Sequence, residues 1–486
     1  MRNRSVGIIF GSLVLWGVIT YFLFLDQPSG KDQEKQNKLS NQISRLEERV
    51  KQQIAVNQEF FQHIEENKHS KKLIEKLTIT RTTIATPKNN EQHESNIKQQ
   101  LLEKNDYKEK WTDFKDFQQT TKAEGIMKSK KSLPNGDPII AVLVFSCNRI
   151  TVQRCLDQLI NLRPSAVQFP IVVSQDCEHQ QTAEVISKYG DKILHIRLPY
   201  DLFQQPDQSD IDIPPKEKKF KGYFKIARHY GWALNQVFFE LGYETAIVVE
   251  DDLDIAPDFF EYFLGTYPLL VSDHSLWCVS AWNDNGKSGL VDEHAPHLLY
   301  RTDFFPGLGW MLTRQLWQEL APKWPKSYWD DWIRQPEQRK NRACIRPEIS
   351  RTRTFGKIGV SNGLFFEKHL KFIKLNEKSV PFTKMNLTYL LKDNYDVSFM
   401  NEVYHSTVIT YSELKSGHII IPGPVRILYY TRLSYKNTAK MLGLMDDFKS
   451  GVPRTGYRGV VTFFYNGRRV HLAPATNWSG YDITWS

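Results

Sequence analysis

The chain has 486 residues, 41% of them hydrophobic, with 12 Trp, 21 Tyr and 28 Phe, so it exceeds one average domain and can build a sizeable core. Its formal net charge is +9, but Lys and Arg are dispersed along the whole length. That dispersal argues against a nucleic-acid-binding arm and leaves a solvated basic surface as the reading.

Residues 5–25 contain no charged side chain, follow Arg2 and Arg4, and precede Asp26. A helix of that length just spans a hydrocarbon core of about 30 Å. The positive-inside rule leaves residues 1–4 as a cytoplasmic tail and puts everything after residue 25 in a lumen. A cleaved leader is the rival, but bulky Tyr21, Phe22 and Phe24 offer no small-residue cleavage site before Asp26. The expectation is a retained signal-anchor, making a single-pass type II membrane protein.

Residues 26–135 are rich in Gln, Lys, Glu and Asn and read as a stem. Leu39, Ile43, Leu46, Val50, Phe60 and Ile64 fall on alternating four- and three-residue steps, with polar Gln53 and Asn57 at the intervening seam positions. Two readings stand: a short coiled coil that pairs two stems into a homodimer, or a solvated, partly helical spacer. The turn-forming run Ser-Leu-Pro-Asn-Gly-Asp-Pro at 132–138 opens the folded part.

Strands and helices then alternate. Residues 139–145 form a continuous apolar, β-branched run, as in a strand buried on both faces. Helical spacing follows at 151–162, a strand at 171–173, a helix at 182–189 and a strand at 193–196. A longer helix at 224–241 leads to a strand at 246–249. The order predicts an α/β fold with a parallel sheet and right-handed crossovers, spanning 136–361. From 362 to 486 the alternation gives way to hairpin-like segments, such as 460–464, Asn466-Gly467 and 469–472, which predict a smaller, more β-rich unit.

The strongest chemical signal is the apolar strand that runs into Glu250, Asp251 and Asp252. Ligands of open α/β sheets bind outside the carboxyl ends of strands. Three adjacent acids there repel one another unless a cation or hydrogen-bond donors compensate, and hard oxygen ligands suit Mg²⁺ or Mn²⁺ bridging a carboxylate to substrate phosphates. The alternative is an acidic turn capping the next helix, which Asp254 or Asp258 could serve alone. A second constellation, Ser327-Tyr-Trp-Asp-Asp-Trp332, sets paired carboxylates among aromatic rings. Such rings can desolvate an acid toward general-base character and can stack on sugars, or they can simply pack inward from a helix start. A third, Phe304-Phe-Pro-Gly-Leu-Gly-Trp310, lets backbone approach a ligand or makes a tight turn. No GxGxxG follows the first strand and no GxxxxGK[ST] is present, which removes the dinucleotide and P-loop readings. Cys147 and Cys177 fall just past the first two predicted strands, within bridging reach if those strands are parallel neighbours; two unpaired thiols are the alternative. Asn386 and Asn477 head acceptor sequons for lumenal glycosylation.

From about residue 139 to 486 the chain resembles the N-acetylglucosaminyltransferase I family, the α-1,3-mannosyl-glycoprotein 2-β-N-acetylglucosaminyltransferases. The resemblance is carried by Ser174-Gln-Asp-Cys, Lys225-Ile-Ala-Arg-His-Tyr, Val248-Val-Glu-Asp-Asp-Leu, Ala281-Trp-Asn-Asp-Asn-Gly and Phe304-Phe-Pro-Gly-Leu-Gly-Trp. It continues in Trp324-Pro-Lys-Ser-Tyr-Trp-Asp-Asp-Trp, Arg342-Ala-Cys-Ile-Arg-Pro-Glu-Ile-Ser-Arg-Thr and Lys449-Ser-Gly-Val-Pro-Arg. It implies a GT-A fold and inverting, metal-dependent transfer of GlcNAc from UDP-GlcNAc to an oligomannose glycoprotein at the Golgi membrane. By resemblance, Asp252 ligates Mn²⁺, Glu250 and Asp251 contact the nucleotide sugar, and Arg149, Asp176 and His229 hold uridine. Asp330 matches the general base, and Val360 and Ser361 match a loop that orders over the donor. The resemblance also pairs Cys147 with Cys177 and Cys278 with Cys344, leaving Cys155 free. Two rivals remain: a sister transferase acting on protein O-mannose, and an inactive membrane-tethered lectin or scaffold.

Overall fold

The computed structural model describes residues 131–198, 213–357, 359 and 363–485. The expected anchor, most of the expected stem, and Val360 and Ser361 lie outside the described residues. Among the described residues, which fall in the unit Glu124–Ser486, no helix is long and apolar enough to cross a membrane.

Strand β1 (Ala141–Ser146) is buried at every position because both of its faces are covered. Val142 and Val144 point into one apolar cluster, while Ala141, Leu143 and Phe145 point into another. Burying each such aliphatic side chain contributes about 1.5–3 kcal/mol, so the strand's apolar run is itself a driving force for the layered arrangement. Helix α1 (Val152–Leu162) lays Val152, Leu156 and Leu159 on the first cluster. Then come β2 (Ile171–Gln175), α2 (Gln180–Ser187) and β3 (Leu194–Arg197). Helix α3 (Lys221–Asn235) runs on as a π-helical turn, Gln236–Glu240, and covers the second cluster through Ala227, Tyr230, Ala233 and Leu234.

The chain continues through β4 (Thr245–Glu250), β5 (Leu253–Ile255), α4 (Phe259–Ser272), β6 (Leu276–Ser280), β7 (Leu299–Thr302) and β8 (Trp310–Thr313). After α5 (Arg314–Leu320) and α6 (Trp329–Ile333) come β9 (Ala343–Pro347) and β10 (Thr352–Thr354). Eight strands form one sheet in the order β3-β2-β1-β4-β8-β6-β9-β7. The four strands from β3 to β4 are parallel, as the alternation of elements predicts. The expectation of a parallel sheet throughout is corrected beyond β4. There β8 runs antiparallel to both β4 and β6, and β7 runs antiparallel to β9. β7 and β8, four residues each, both run opposite to β4, β6 and β9, and the chain passes from β7 to β8 through residues 303–309 without a crossover helix, with β9 and β6 lying between the two strands. The segment leading into β8 carries positive φ at Gly307, Leu308 and Gly309.

The C-terminal region is built from α7 (Lys392–His405), β11 (Thr407–Val408), β12 (Val425–Tyr429), α8 (Arg432–Leu442), β13 (Phe448–Lys449), β14 (Val452–Pro453), β15 (Val461–Tyr465) and β16 (Arg468–Pro474). A four-stranded sheet, β11-β12-β16-β15, holds its own apolar cluster, including Val425, Tyr435, Val461 and Leu472. The β15–β16 hairpin turns at Asn466-Gly467, both with positive φ, as that dipeptide predicts.

Candidate active site

Three strand ends, β1, β2 and β4, open on the same edge of the sheet, and the sequence-predicted groups gather there. Cys147 and Cys177, just past β1 and β2, form a disulfide with their Cα atoms 5.2 Å apart. Cys278 and Cys344 form a second across the β6–β9 register, and Cys155 is free and buried.

Glu250 ends β4, and Asp251 and Asp252 follow in the turn to β5, all with little solvent access. Burial, reinforced by Asp252, pushes Glu250 up to about 7, and its Oε1 accepts from the Tyr230 hydroxyl at 2.8 Å. Burial also pushes Asp251 up to about 6, against the pull of Arg149. Its carboxylate accepts from Ser146 Oγ at 3.2 Å and from Arg149 Nη1 at 3.1 Å. The same Arg149 nitrogen donates to Asp252 Oδ2. Asp252 Oδ1 is buried without a hydrogen-bond partner among the described residues.

The backbone is shaped to this carboxylate. Phe355 N donates to Asp252 O at 2.9 Å, and a Cβ built on Gly356 would fall 1.9 Å from Asp252 Oδ2. A glycine is needed wherever backbone passes this close to a side chain. The triplet does not cap α4. Asp258 stands at the N-cap, but its side chain pairs with fully buried Arg351, while Asp254 is taken by Arg154, Gln158 and Arg353.

Asp176, past the end of β2, is buried, accepts from Cys177 N at 2.8 Å, and lies 3.6 Å from Arg228 of α3. The next residue, His229, shares a 2.7 Å hydrogen bond between Nε2 and Ser174 Oγ. Burial pushes His229 down to about 4, so its imidazole is neutral at physiological pH.

Asp330 lies in α6, and one aromatic column ties it to the acidic triplet. Phe145 stacks on Tyr230 at 3.8 Å, and Tyr230 stacks on Trp329 at 4.4 Å. The Tyr230 hydroxyl, raised far above its usual range by burial and then by Glu250, to which it donates, thus stands between the acidic triplet and Trp329, the neighbour of Asp330. The expectation that flanking rings desolvate Asp330 is corrected: its side chain is 46% exposed. Trp329 turns inward to Trp310 and Trp324, and the carboxylate faces outward. Arg334, four residues on, donates Nη1 to Asp330 Oδ2 at 2.9 Å and to Asp331 Oδ1 at 3.3 Å. Lys449 from β13 holds Asp331 from the other side at 2.8 Å.

Tyr230, Ser146, Ser174, Arg334, Lys449 and Gly356 were given no role by sequence reasoning. Arg334 was within reach of the i, i+4 rule. Tyr230 and Lys449 stood inside recognised segments, but nothing in a linear pattern says which acid each would meet.

Among the described residues no group of three or more His, Cys, Asp or Glu side chains is arranged to hold a metal ion. The donor set nevertheless fits a hard cation held by one carboxylate and by substrate oxygens. Asp251 and Asp252 share Arg149, burial raises Glu250 and Asp251, and Asp252 Oδ1 is buried without a hydrogen-bond partner among the described residues.

The profile of the GNT-I family matches residues 49–485. An alpha-1,3-mannosyl-glycoprotein 2-beta-N-acetylglucosaminyltransferase of Arabidopsis thaliana is 40% identical over 374 residues, covering 76% of this chain and 81% of its own length. Similar solved structures include a mannosyltransferase from Pyrobaculum calidifontis in complex with GDP-Man and Mn²⁺, 13% identical with a TM-score of 0.26, covering 42% of this chain and 52% of that one. Another is S. aureus TarS 1-349 in complex with UDP-GlcNAc, 12% identical with a TM-score of 0.29, covering 54% of this chain and 66% of that one.

Proposed function

This chain belongs to the GNT-I family, and on that premise we propose how its GT-A-like α/β domain and smaller β-rich C-terminal region carry out the family's reaction. The protein is a glycosyltransferase that moves GlcNAc onto a mannosylated glycoprotein. In finer terms, the donor is UDP-GlcNAc, the acceptor is the α-1,3-linked mannose of an oligomannose N-glycan, and the new linkage is β-1,2. The observation that carries this reading is that Tyr230 links the acidic triplet, where Asp252 keeps a buried unpaired oxygen, to the helix of half-exposed Asp330, by its bond to Glu250 and its stack on Trp329.

Asp330 is the general base. Arg334 holds its Oδ2, which leaves Oδ1 for the acceptor's 2-hydroxyl proton. As that proton moves to Asp330, the hydroxyl oxygen bonds to the anomeric carbon of GlcNAc and the bond from that carbon to UDP breaks. One displacement inverts the centre, so no protein nucleophile is required, and the exposed carboxylate returns its proton to solvent. Asp252 would hold Mn²⁺, which when bound supplies Lewis-acid neutralisation of the UDP diphosphate. Glu250 and Asp251 contact the nucleotide sugar. Arg149, Asp176 and His229 hold the uridine, with neutral His229 acting as a hydrogen-bonding partner. Val360 and Ser361 take part in donor binding, a role that the family resemblance assigns them, and Gly359 lies beside Arg149, where a Cβ would come within 3.1 Å of Nη2. Residues 5–25 anchor the protein in the Golgi membrane, with the catalytic part lumenal and the stem at 26–135 able to pair two chains.

The test is incubation of the full chain with UDP-GlcNAc, Mn²⁺ and an oligomannose glycopeptide, with and without chelator, followed by glycan mass and NMR linkage analysis. One β-1,2-linked GlcNAc, lost with chelator and restored by Mn²⁺, supports the reading. Transfer only to an O-mannosyl peptide moves the acceptor assignment. Absence of both transfer and donor binding returns the chain to the lectin or scaffold class.

A further inference from the structure

Three aromatic rings stand at the surface beside the proposed base, and the mechanism above leaves them without a task. Tyr328, the residue before α6, stacks on Tyr223 of α3 with ring centroids 4.7 Å apart and planes 27° apart. Phe220 lies 6.3 Å from Tyr328 and 6.4 Å from Tyr223, and it is 38% exposed. Tyr223 and Tyr328 are themselves only partly buried. The aromatics around the base are thus sorted by direction. Trp329 is buried in the core against Tyr230 and Trp310, while Tyr328 joins a cluster at the surface.

The backbone holds this arrangement against its own preference. Tyr328 has φ 48 and ψ 45, in the left-handed region that a bulky side chain avoids. A turn alone would be served better by Gly or Asn. Strained non-glycine positions cluster where a side chain has a functional task, and this one is two residues from Asp330. An exposed aromatic face carries negative charge density and attracts the polarised C–H groups of a pyranose ring. Lys219 covers one face of Phe220 at 4.9 Å, which leaves the two tyrosines as the principal surface.

We propose that Tyr328, supported by Tyr223 and Phe220, is a stacking platform for a sugar ring of the mannosylated acceptor, next to the ring whose hydroxyl meets Asp330. The assignment rests on the function proposed above and adds where the acceptor branch lies. Tyr328 is a binding residue for the acceptor, without a part in bond making.

The experiment measures KM separately for an oligomannose glycopeptide and for UDP-GlcNAc, using the full chain and its Tyr328→Gly, Tyr328→Phe and Tyr223→Ala variants. Tyr328→Gly removes the ring and relieves the left-handed strain, so loss of folding is not its expected effect. It should raise the acceptor KM roughly three- to tenfold, the worth of one aromatic contact, with the UDP-GlcNAc KM unchanged. Tyr328→Phe keeps the ring and should stay within about twofold of wild type. Tyr223→Ala should move the acceptor KM in the same direction. An unchanged acceptor KM in Tyr328→Gly overturns the platform while leaving the transferase reading intact. Equal damage in Tyr328→Phe and Tyr328→Gly overturns stacking in favour of a hydroxyl contact. Failure of the wild-type chain to glycosylate any mannosylated acceptor overturns both.

Discussion

A methyl group added at Gly356 would lie 1.9 Å from Asp252 Oδ2, 2.6 Å from its carboxylate carbon and 2.8 Å from its Cβ. Carbon and oxygen rarely approach closer than about 3.3 Å, so the carboxylate must move by roughly 1.4 Å. Asp252 cannot give way cheaply. Its side chain is short, Oδ2 is held by Arg149, and its backbone carbonyl is held by Phe355. Gly356 has no positive φ, so alanine suits the backbone there and the clash is confined to the site. A misplacement of about 1 Å in a reacting constellation costs on the order of 100-fold in rate, equivalent to about 2.7 kcal/mol. Gly356→Ala should therefore lower kcat/KM for UDP-GlcNAc about 100-fold and shift its Mn²⁺ dependence to higher concentration. Steady-state transfer over a Mn²⁺ series, with thermal unfolding to verify an intact fold, reads this directly. Wild-type kcat/KM and metal dependence in a folded Gly356→Ala protein would refute the placement of Asp252 at the donor.

Other outcomes follow from the same geometry. Burial holds His229 near 4 when folded, against an ordinary value of about 6.5, so the unfolded chain binds a proton that the native state refuses. Stability from this residue is fully present above about pH 6.5 and falls toward pH 4, by on the order of 3 kcal/mol. His229→Gln should flatten the pH dependence of denaturant unfolding between pH 7 and 4 by about that amount; an unchanged slope would show that His229 titrates normally. The Cys278–Cys344 bridge closes a separation of 66 residues, for which chain entropy gives about 4 kcal/mol. Double replacement by alanine should lower unfolding free energy by that order, and a loss below about 1 kcal/mol would mean the bridge adds little.

The parallel half of the sheet was legible because β1, β2 and β4 are buried on both faces and separated by helices, leaving unbroken apolar runs. The antiparallel half was not. β7 and β8 are four residues each, and the segment between them reads equally as a ligand loop or a turn. The acidic triplet was readable because its position after an apolar strand fixes which edge it faces. Asp330 was readable as an acid among aromatics, but its exposure was not, since Trp329 turns into the core while Tyr328, the residue before the helix, joins a surface cluster. Tyr230 could not be foreseen as the link, because its partners Phe145, Glu250 and Trp329 come from three separate segments. The resemblance to a known family named residues for the donor pocket; it did not supply the Gly356 contact or the Arg334 and Lys449 brackets around Asp330 and Asp331.

The most direct test compares the wild-type chain with Asp330→Asn in a single-turnover assay with UDP-GlcNAc, Mn²⁺ and an oligomannose glycopeptide, alongside donor binding by calorimetry. Removing a positioned base lowers the rate by about 10²- to 10⁴-fold. Asp330→Asn should lose transfer to that degree while binding UDP-GlcNAc as wild type does. Transfer at the wild-type rate in Asp330→Asn would contradict the assignment of Asp330 as the base.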